Sequence, residues 1–433
     1  MGVGTAGWSS RLVSVLGARP HELDAAGIQA LVGHVREDED LDFKRDLYPR
    51  SDAGKAELAA DVAAMANHRG GAIILGVDEH EAVASDVPQV ELSDEEQLRM
   101  AAVVAGIAPY VECAVVPVQI EAPNRGCYVI VIPPSPARPH AAVRNDRLGY
   151  PRRFGTSRRW LSEAEVADLY RDRFRQTESD VVRVSDNLAA ALSRLAEGAE
   201  RDLRVTVSVV PTGATPFTVD QGRLAQLETW ARRLQTPYDG LFAGINPEVR
   251  VGLRQVRLSD RNPPKHAYAE LHTDGSAVAA TRVFHHQYPV DSWDSEEGVE
   301  FVRVWDLVWP TLRCLKSAAC HGADHAAAHG DVLIEAHVGG AGRLRLGDLQ
   351  SGVLLRPDGE SAELPLISRR TVSGDALYAT DTQGLFAVVR LLLTDIVHAM
   401  GVAEVVQIQS DGSLERPDDD VRAWASTVGV SVV

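Results

Sequence analysis

The sequence predicts an α+β protein with more than one domain. Short apolar segments typical of strands alternate with amphipathic segments typical of helices. Two of these helices carry a capping-box start, Ser93 with Glu96 and Ser162 with Glu165. A chain of 433 residues is long enough for two to three domains. We expect a flexible N-terminus at 1–20, a first α+β domain at 21–176, a helical connector at 177–200 and a second α+β domain at 201–433.

The first domain combines buried strands with capped helices. The apolar run from Ala72 to Val77 predicts a strand that is buried on both faces. Asp52 is a candidate N-cap for the preceding helix, which we expect to end near Asn67. The predicted helices span 22–35, 52–67 and 93–108, with a last one from 162, and the predicted strands span 41–44, 72–77, 113–120 and 127–132.

Three carboxylates flank the first two predicted strands. Alternation in the strand at 41–44 places Asp42 and Lys44 on one face. If the two strands lie side by side, Glu37, Asp42 and Asp78 converge at one edge of the sheet. Three carboxylates without histidine suit a hard cation such as Mg²⁺ or Mn²⁺, which could activate water or a ribose hydroxyl. Lys44 could then offset phosphate charge in the transition state.

The same acidic residues also have a plain structural interpretation. Glu37 to Asp40 can be a solvated acidic loop, Asp42 and Lys44 a surface ion pair, and Asp78 the cap of a turn. A nucleotide site has little support in this region, because Gly54-Lys55-Ala56 lacks the other glycines and the Ser or Thr of a P-loop.

A basic segment precedes the last helix of the first domain. Six arginines stand against one aspartate between residues 144 and 159, with Tyr150, Phe154 and Trp160 interleaved. Arginines with aromatic side chains supply phosphate contacts and stacking faces for a nucleic-acid strand. The alternative is a solvated loop whose arginines pair with the surplus carboxylates of the chain. The candidate nucleic-acid-binding residues are Arg144, Arg147, Arg152, Arg153, Arg158 and Arg159.

The second half of the chain carries weaker signals. Asp274-Gly275 between two apolar runs predicts a hairpin, and further strands are expected at 203–210, 332–338 and 404–408. Helices are expected at 223–234, 296–319 and 384–400. Cys314, Cys320, His321, His325 and His329 have a spacing that could bind Zn²⁺ on one helix face, although a surface helix or loop is the simpler interpretation. The run Phe284-His285-His286 is expected at a strand end.

Overall composition favours a cytoplasmic protein without membrane spans. No apolar run approaches the roughly 18 residues of a transmembrane helix, and the N-terminus does not resemble a signal peptide. Four cysteines without a CxxC pair fit a reducing compartment. The formal net charge of −17 repels nucleic acid, so any such binding requires a local basic patch.

Residues 30–175 resemble the Schlafen-like AlbA-type domain. The match begins with an acidic residue, Glu37, which is separated by four residues from Asp42-Phe43-Lys44. It continues with the Ala66-Asn67, Gly70-Gly71 and Gly76-Val77-Asp78 motif and with Arg153-Phe154-Gly155-Thr156. The resemblance implies a compact mixed sheet with helices that engages nucleic acid, RNA or DNA.

The resemblance has two functional implications. Some Schlafen proteins are metal-dependent endoribonucleases acting on structured RNA such as tRNA, and their acidic triad falls here on Glu37, Asp42 and Asp78. The bacterial group is described instead as DNA- or ATP-binding regulatory modules. Vertebrate members build a cleft from two related lobes, whereas this chain shows one, so a cleft would require homodimerisation or a disguised second lobe.

Overall fold

The structure is a computed structural model of two compact units, Met1–Thr177 and Glu178–Val433. We call them the first unit and the second unit. The described residues are 10–121, 123–144, 147–195, 202–236, 238–260, 266–283, 298–350, 353–378, 382–415, 417 and 419–433. Within these residues, no helix combines the length and apolar character that a membrane crossing requires.

The first unit is built from helices on both faces of a small mixed sheet. Its helices are α1 (Ser10–Leu16), α2 (Ala25–Ala30), α3 (Asp52–Ala66), α4 (Asp94–Val104) and the first part of α5 (Glu163–Leu195). Its strands are β1 (Leu41–Lys44), β2 (Gly71–Leu75), β3 (Asp78–His80), β4 (Val83–Asp86), β5 (Val90–Glu91), β6 (Ala114–Gln119), β7 (Arg125–Ile132), β8 (Ala142–Arg144), β9 (Arg147–Gly149), β10 (Pro151–Phe154) and β11 (Ser157–Trp160).

The central sheet of the first unit has the order β1-β2-β7-β5, and β6 also pairs with β7. β1 and β2 are parallel, as the predicted convergence requires, and the other pairs are antiparallel. Three further hairpins, β3–β4, β8–β9 and β10–β11, lie outside this sheet.

Both faces of this sheet are covered, as the apolar run of β2 predicts. Ile73 and Leu75 pack with α3 and α4 on one face, and Ala72 and Ile74 pack with α1 and α2 on the other. The α+β prediction is therefore confirmed.

The second unit is organised around a seven-stranded antiparallel sheet of order β13-β14-β15-β16-β12-β18-β21. Its strands are β12 (Arg204–Gly213), β13 (Glu248–Gly252), β14 (Gln255–Ser259), β15 (Ala267–His272), β16 (Ala277–Arg282), β17 (Val299–Val302), β18 (His329–Gly339), β19 (Arg343–Gln350), β20 (Val353–Glu363) and β21 (Leu366–Ser373). Its helices are α6 (Gln221–Ala231), α7 (Val304–Ala326), α8 (Gly374–Tyr378), α9 (Thr382–His398) and α10 (Asp419–Val428). α7 and α9 pack on one face, and the last turns of α5 pack on the other.

Several boundaries differ from the sequence prediction. The expected flexible N-terminus contains α1, whose Leu12 and Leu16 are buried in the core, so order begins by Ser10 among the described residues. The expected connector is part of α5, which continues without a break to Leu195. α3 is capped by Ser51 rather than Asp52, because the Ser51 hydroxyl accepts the N–H of Gly54.

Two other predictions of secondary structure had different outcomes. The segment 404–408 is not a strand; it forms turns and one bridge between Ile408 and Leu414. The hairpin around Asp274-Gly275 is confirmed as β15–β16. Residues 284–286 lie outside the described residues.

Candidate nucleic-acid interface

Asp42 is a buried partner of two cations. Side chains alternate along β1, so Leu41 and Phe43 pack in one core and Asp42 lies on the opposite face. Only 3% of Asp42 is exposed there. Its Oδ1 lies 3.1 Å from Nη1 of Arg153, and its Oδ2 lies 2.7 Å from Nζ of Lys44. Asp42 is therefore a structural ion-pair residue in this arrangement rather than an open carboxylate.

Lys44 lies among several carboxylates, and one of them, Asp61, was not among the candidate site residues. Burial acts to lower the pKa of Lys44, but the charges of Asp42, Asp61 and Glu37 outweigh burial and raise it. Asp61 is on the buried face of α3, and its carboxylate accepts a hydrogen bond from the Tyr48 hydroxyl at 2.8 Å. The sequence signal for Asp61 was an aspartate with apolar neighbours in a predicted helix.

Glu37 and Asp78 have separate partners. Glu37 Oε1 accepts the Phe43 N–H at 2.6 Å, and burial raises the pKa of this carboxyl. Asp78 begins the β3–β4 hairpin and pairs with Arg45, with Nη1 2.5 Å from its Oδ2. β1 and β2 pair side by side as predicted. Asp78 lies beyond the end of β2, however, and belongs to the β3–β4 hairpin.

The predicted Mg²⁺ or Mn²⁺ ligands do not fit a metal ion as they are arranged. The oxygens of Asp42 are engaged by Arg153 and Lys44, and that of Asp78 by Arg45. Over the described ranges, no group of three or more His, Cys, Asp or Glu side chains is arranged to hold a metal ion. The structure therefore offers no ready metal centre at Glu37, Asp42 and Asp78.

The predicted basic patch is only partly a free surface. Arg153 is 3% exposed and also donates to the Asp38 carbonyl, so it is a core residue. Arg158 pairs with Asp61, and Arg159 pairs with Glu165, which lowers the pKa of that carboxyl to about 2. The partners of Arg153 and Arg158 are 111 and 97 residues away in the chain, so local sequence could not reveal them.

The remaining arginines of the segment have other surroundings. Arg152 donates from Nε to Nδ1 of His68 at 3.4 Å, and Arg138 donates to the His68 carbonyl at 3.2 Å. The sequence pattern did not indicate His68 or Arg138, because both lie outside the arginine-rich segment 144–159. Arg147 is exposed on β9, and the side chain of Arg144 lies outside the described residues.

A groove beside Arg147 collects the exposed basic and aromatic groups. It has a volume of about 710 Å³, and Arg147, Leu148, Tyr150, Trp160 and Glu163 are among its lining residues. Leu148 is 65% exposed at its edge. Of the six predicted arginines, Arg147 lines this groove, together with Tyr150 and Trp160. We call it the β9 groove.

Aromatic rings continue from the β9 groove along α5. The rings of Tyr150 and Tyr170 meet edge to face at 6.4 Å, and Tyr170 stacks on Phe174 at 6.2 Å. Phe174 is 61% exposed. Arg159 covers the ring of Phe154 at 4.6 Å, so that aromatic face is already occupied. The arrangement offers stacking faces next to Arg147, which has no ion-pair partner among the described residues.

The Cys and His residues of the second unit do not form the predicted zinc site. Cys314 is buried against the Val205 carbonyl, and His321 donates from Nε2 to the His272 carbonyl at 2.9 Å. Nδ1 of His329 lies 3.1 Å from the Ala327 carbonyl oxygen. The end of α7 at Ala326 separates His329 from the helix face that the spacing required.

Comparison with known proteins identifies the first unit. Residues 37–161 match the family model described as Schlafen, AlbA_2, and no curated protein matches the chain. Among solved structures, the DIP2311 protein from Corynebacterium diphtheriae shares 22% identity over 31% of this chain and 24% of that chain, with a TM-score of 0.22. The family is generally nucleic-acid-related. The chain is thus a protein that contains a Schlafen/AlbA-like domain.

Proposed function

We propose that the Schlafen/AlbA-like domain binds a nucleic-acid strand in the β9 groove. The observation that carries the proposal is the meeting of Arg147, Tyr150 and Trp160 in one open groove of the matched domain. A guanidinium contacts phosphate, and aromatic rings stack on bases of any sequence. We expect little base specificity from this surface.

The ligand is expected to present unpaired bases. Stacking on Tyr150 requires a base that is not already enclosed in a duplex, as in a single strand or in the loops of a structured RNA such as tRNA. The net charge of −17 opposes binding elsewhere on the chain. A module that binds duplex DNA is the alternative, and it would prefer a duplex to the matching single strand.

Binding is tested on the full chain with fluorescent probes of equal length. The probes are a single-stranded RNA, a single-stranded DNA and a duplex DNA, measured by anisotropy beside a tRNA. The proposal predicts tighter binding of the single strands and of tRNA than of the duplex. Arg147→Ala should weaken it about threefold to tenfold, by analogy with the loss of one phosphate contact.

The control for that variant is Arg250→Ala. Arg250 belongs to the second unit, and its side chain is 66% exposed. Arg250→Ala removes the same charge from the chain as Arg147→Ala does. Unchanged binding by Arg147→Ala, or an equal loss in both variants, would contradict the proposed surface.

Metal-dependent cleavage of RNA stays a prediction of the resemblance. Its test is incubation of a tRNA pool with and without Mn²⁺ or Mg²⁺, comparing the wild type with Asp42→Ala combined with Asp78→Ala. Metal-dependent products that vanish in the double variant, while the variant still binds RNA, would support cleavage. Intact RNA in every lane, with RNA still bound, would leave a binding domain. The cytoplasmic location, the homodimer and the ATP-binding alternative also stay predictions.

A further inference from the structure

A second groove lies within the second unit, between α6 and the C-terminal end of α7. Its volume is about 600 Å³, within the roughly 300–1,000 Å³ of small-molecule sites. The residues that line it include Arg223, Gln226, Trp230, Arg233, Asp324 and His325. We call it the α6–α7 groove. The Schlafen/AlbA-like match ends at residue 161, so it does not cover this groove.

Two arginines of this groove have no carboxylate partner among the described residues. Arg223 is held by neutral acceptors: it donates to Gln226 Oε1 at 3.1 Å and to the His325 carbonyl at 2.9 Å. It also lies over the ring of Phe217 at 4.8 Å. Arg233 is exposed in the 3-10 turn that follows α6. In a chain with net charge −17, two such cations at one groove favour an anionic ligand.

His325 adds an unsatisfied polar group to the same groove. Both ring nitrogens are buried and have no hydrogen-bond partner among the residues that the structure describes, whereas buried polar atoms of native proteins are almost always paired. The ring packs edge to face against Trp230 at 4.9 Å. Burial, and then the charge of Arg223, lowers the pKa of His325 to about 4, so the imidazole is neutral near pH 7.

Among the described residues that line the groove, Asp324 is the one carboxylate, and it is hydrogen-bonded. Asp324 Oδ2 accepts the indole N–H of Trp230 at 2.8 Å, which orients both side chains. We propose that the α6–α7 groove binds the phosphate group of a small molecule through Arg223 and Arg233. Two guanidinium groups match the oxygens of a phosphate dianion, and His325 lines the same groove.

The test is isothermal titration of the full chain in a buffer free of phosphate and sulfate. The probes are inorganic phosphate, AMP and adenosine. We expect the wild type to bind phosphate or AMP and not adenosine. Equal affinity for phosphate and AMP would identify the free anion as the ligand class, and tighter AMP binding would identify a phosphate ester. Adenosine binding as tight as AMP binding, or no binding of either anion at millimolar concentration, would overturn the proposal.

Neighbouring arginines provide the matched variants. Arg233→Ala removes a groove cation, whereas Arg232→Ala removes the same charge from the adjacent exposed residue, which does not line the groove. We expect about a tenfold loss of affinity for Arg233→Ala and less than about twofold for Arg232→Ala. Both residues are exposed, so neither variant is expected to unfold the chain. An equal effect of the two variants would overturn the proposal.

The signal from Trp230 gives an independent readout. Because its indole lines the groove and packs on His325, phosphate binding should change tryptophan fluorescence in the wild type and not in His325→Phe with Arg233→Ala. Arg147→Ala should leave both phosphate signals unchanged. This result separates the α6–α7 groove from the nucleic-acid surface of the first unit.

Discussion

Nη1 of Arg153 lies 3.1 Å from Oδ1 of Asp42, with 4% of each side chain exposed. This pair joins β1 to the β10–β11 hairpin across 111 residues of sequence. It connects two of the motifs that mark the family resemblance, the acidic strand and the arginine–glycine turn. Removing one charge of a buried pair leaves the other charge buried without compensation, so loss of either residue should destabilise the fold.

Asp42→Asn should destabilise the first unit by about 3–5 kcal/mol, because it leaves Arg153 buried beside a neutral group. The free energy of opening is measured from hydrogen exchange of the β2 amides, which reports this unit separately from the second. Asp52→Asn is the control, since the Asp52 side chain is 99% exposed. Equal protection of β2 in both variants would contradict a structural role for the pair.

Gly71→Ala should prevent β2 from reaching its place beside β1. A Cβ at this position would lie 2.3 Å from the carbonyl oxygen of Asp40, and the φ angle of Gly71 is +150°. Both the contact and the backbone conformation disfavour a side chain. We expect little folded first unit in Gly71→Ala, measured by circular dichroism and limited proteolysis. Gly106→Ala, where the nearest contact is 3.3 Å, should fold; normal folding of both variants would contradict the close strand packing.

The stability of the second unit should fall as the pH decreases from 7 to 5. Burial lowers the pKa of His321 from 6.5 to about 3, so the folded unit keeps this histidine neutral while the unfolded chain binds a proton. The stabilisation is complete above pH 6.5 and is lost progressively as the pH falls toward 3. One such group removes about 2 kcal/mol between pH 7 and pH 5.

The check on this prediction is the pH slope of the unfolding free energy in His321→Gln. Glutamine retains a donor for the His272 carbonyl but does not titrate. The slope should become shallower than in the wild type, whereas His398→Gln, at an exposed position on α9, should not change it. An unchanged slope in His321→Gln would show that another group carries the pH dependence.

The salt dependence of RNA binding should change with Arg147. Each phosphate contact adds about 0.7 to the slope of log affinity against log salt for a single strand. Arg147→Ala should therefore lower the slope by about 0.7, as measured by anisotropy from low to moderate salt. Arg158→Ala should leave the slope closer to that of the wild type, because Asp61 already pairs with Arg158. A larger decrease in slope for Arg158→Ala than for Arg147→Ala would instead place the interface at the β10–β11 hairpin.

The sequence predicted those parts of the fold that depend on neighbouring residues. The apolar run of β2, the Ser93 cap and the Asp274-Gly275 hairpin are local signals, and the structure contains all three. Pairing between distant charges is different. Whether Arg153 faces solvent or Asp42 depends on how β10 folds against the sheet, and no local pattern encodes that.

The same dependence on distant pairing explains why the predicted carboxylates have separate partners. Asp42 and Asp78 were grouped because each follows or occupies one of two paired strands. β3 and β4 form their own hairpin, so Asp78 pairs with Arg45 instead. Asp61 approaches Lys44 from α3, an element in which the sequence showed only an apolar stripe. Tyr150 and Trp160 share a groove because Tyr150 precedes Pro151, the residue that pairs with Trp160 in the β10–β11 hairpin. The sequence placed both aromatic residues in one segment but did not predict the groove.

Photo-crosslinking tests the central claim most directly. An RNA carrying 4-thiouridine is bound to the full chain, irradiated, digested and mapped by mass spectrometry. The account predicts crosslinks on the peptides that contain Tyr150 or Trp160, competed by unlabelled RNA and reduced in Arg147→Ala. Crosslinks confined to the second unit, or the same map in Arg147→Ala as in the wild type, would contradict the β9 groove as the nucleic-acid surface.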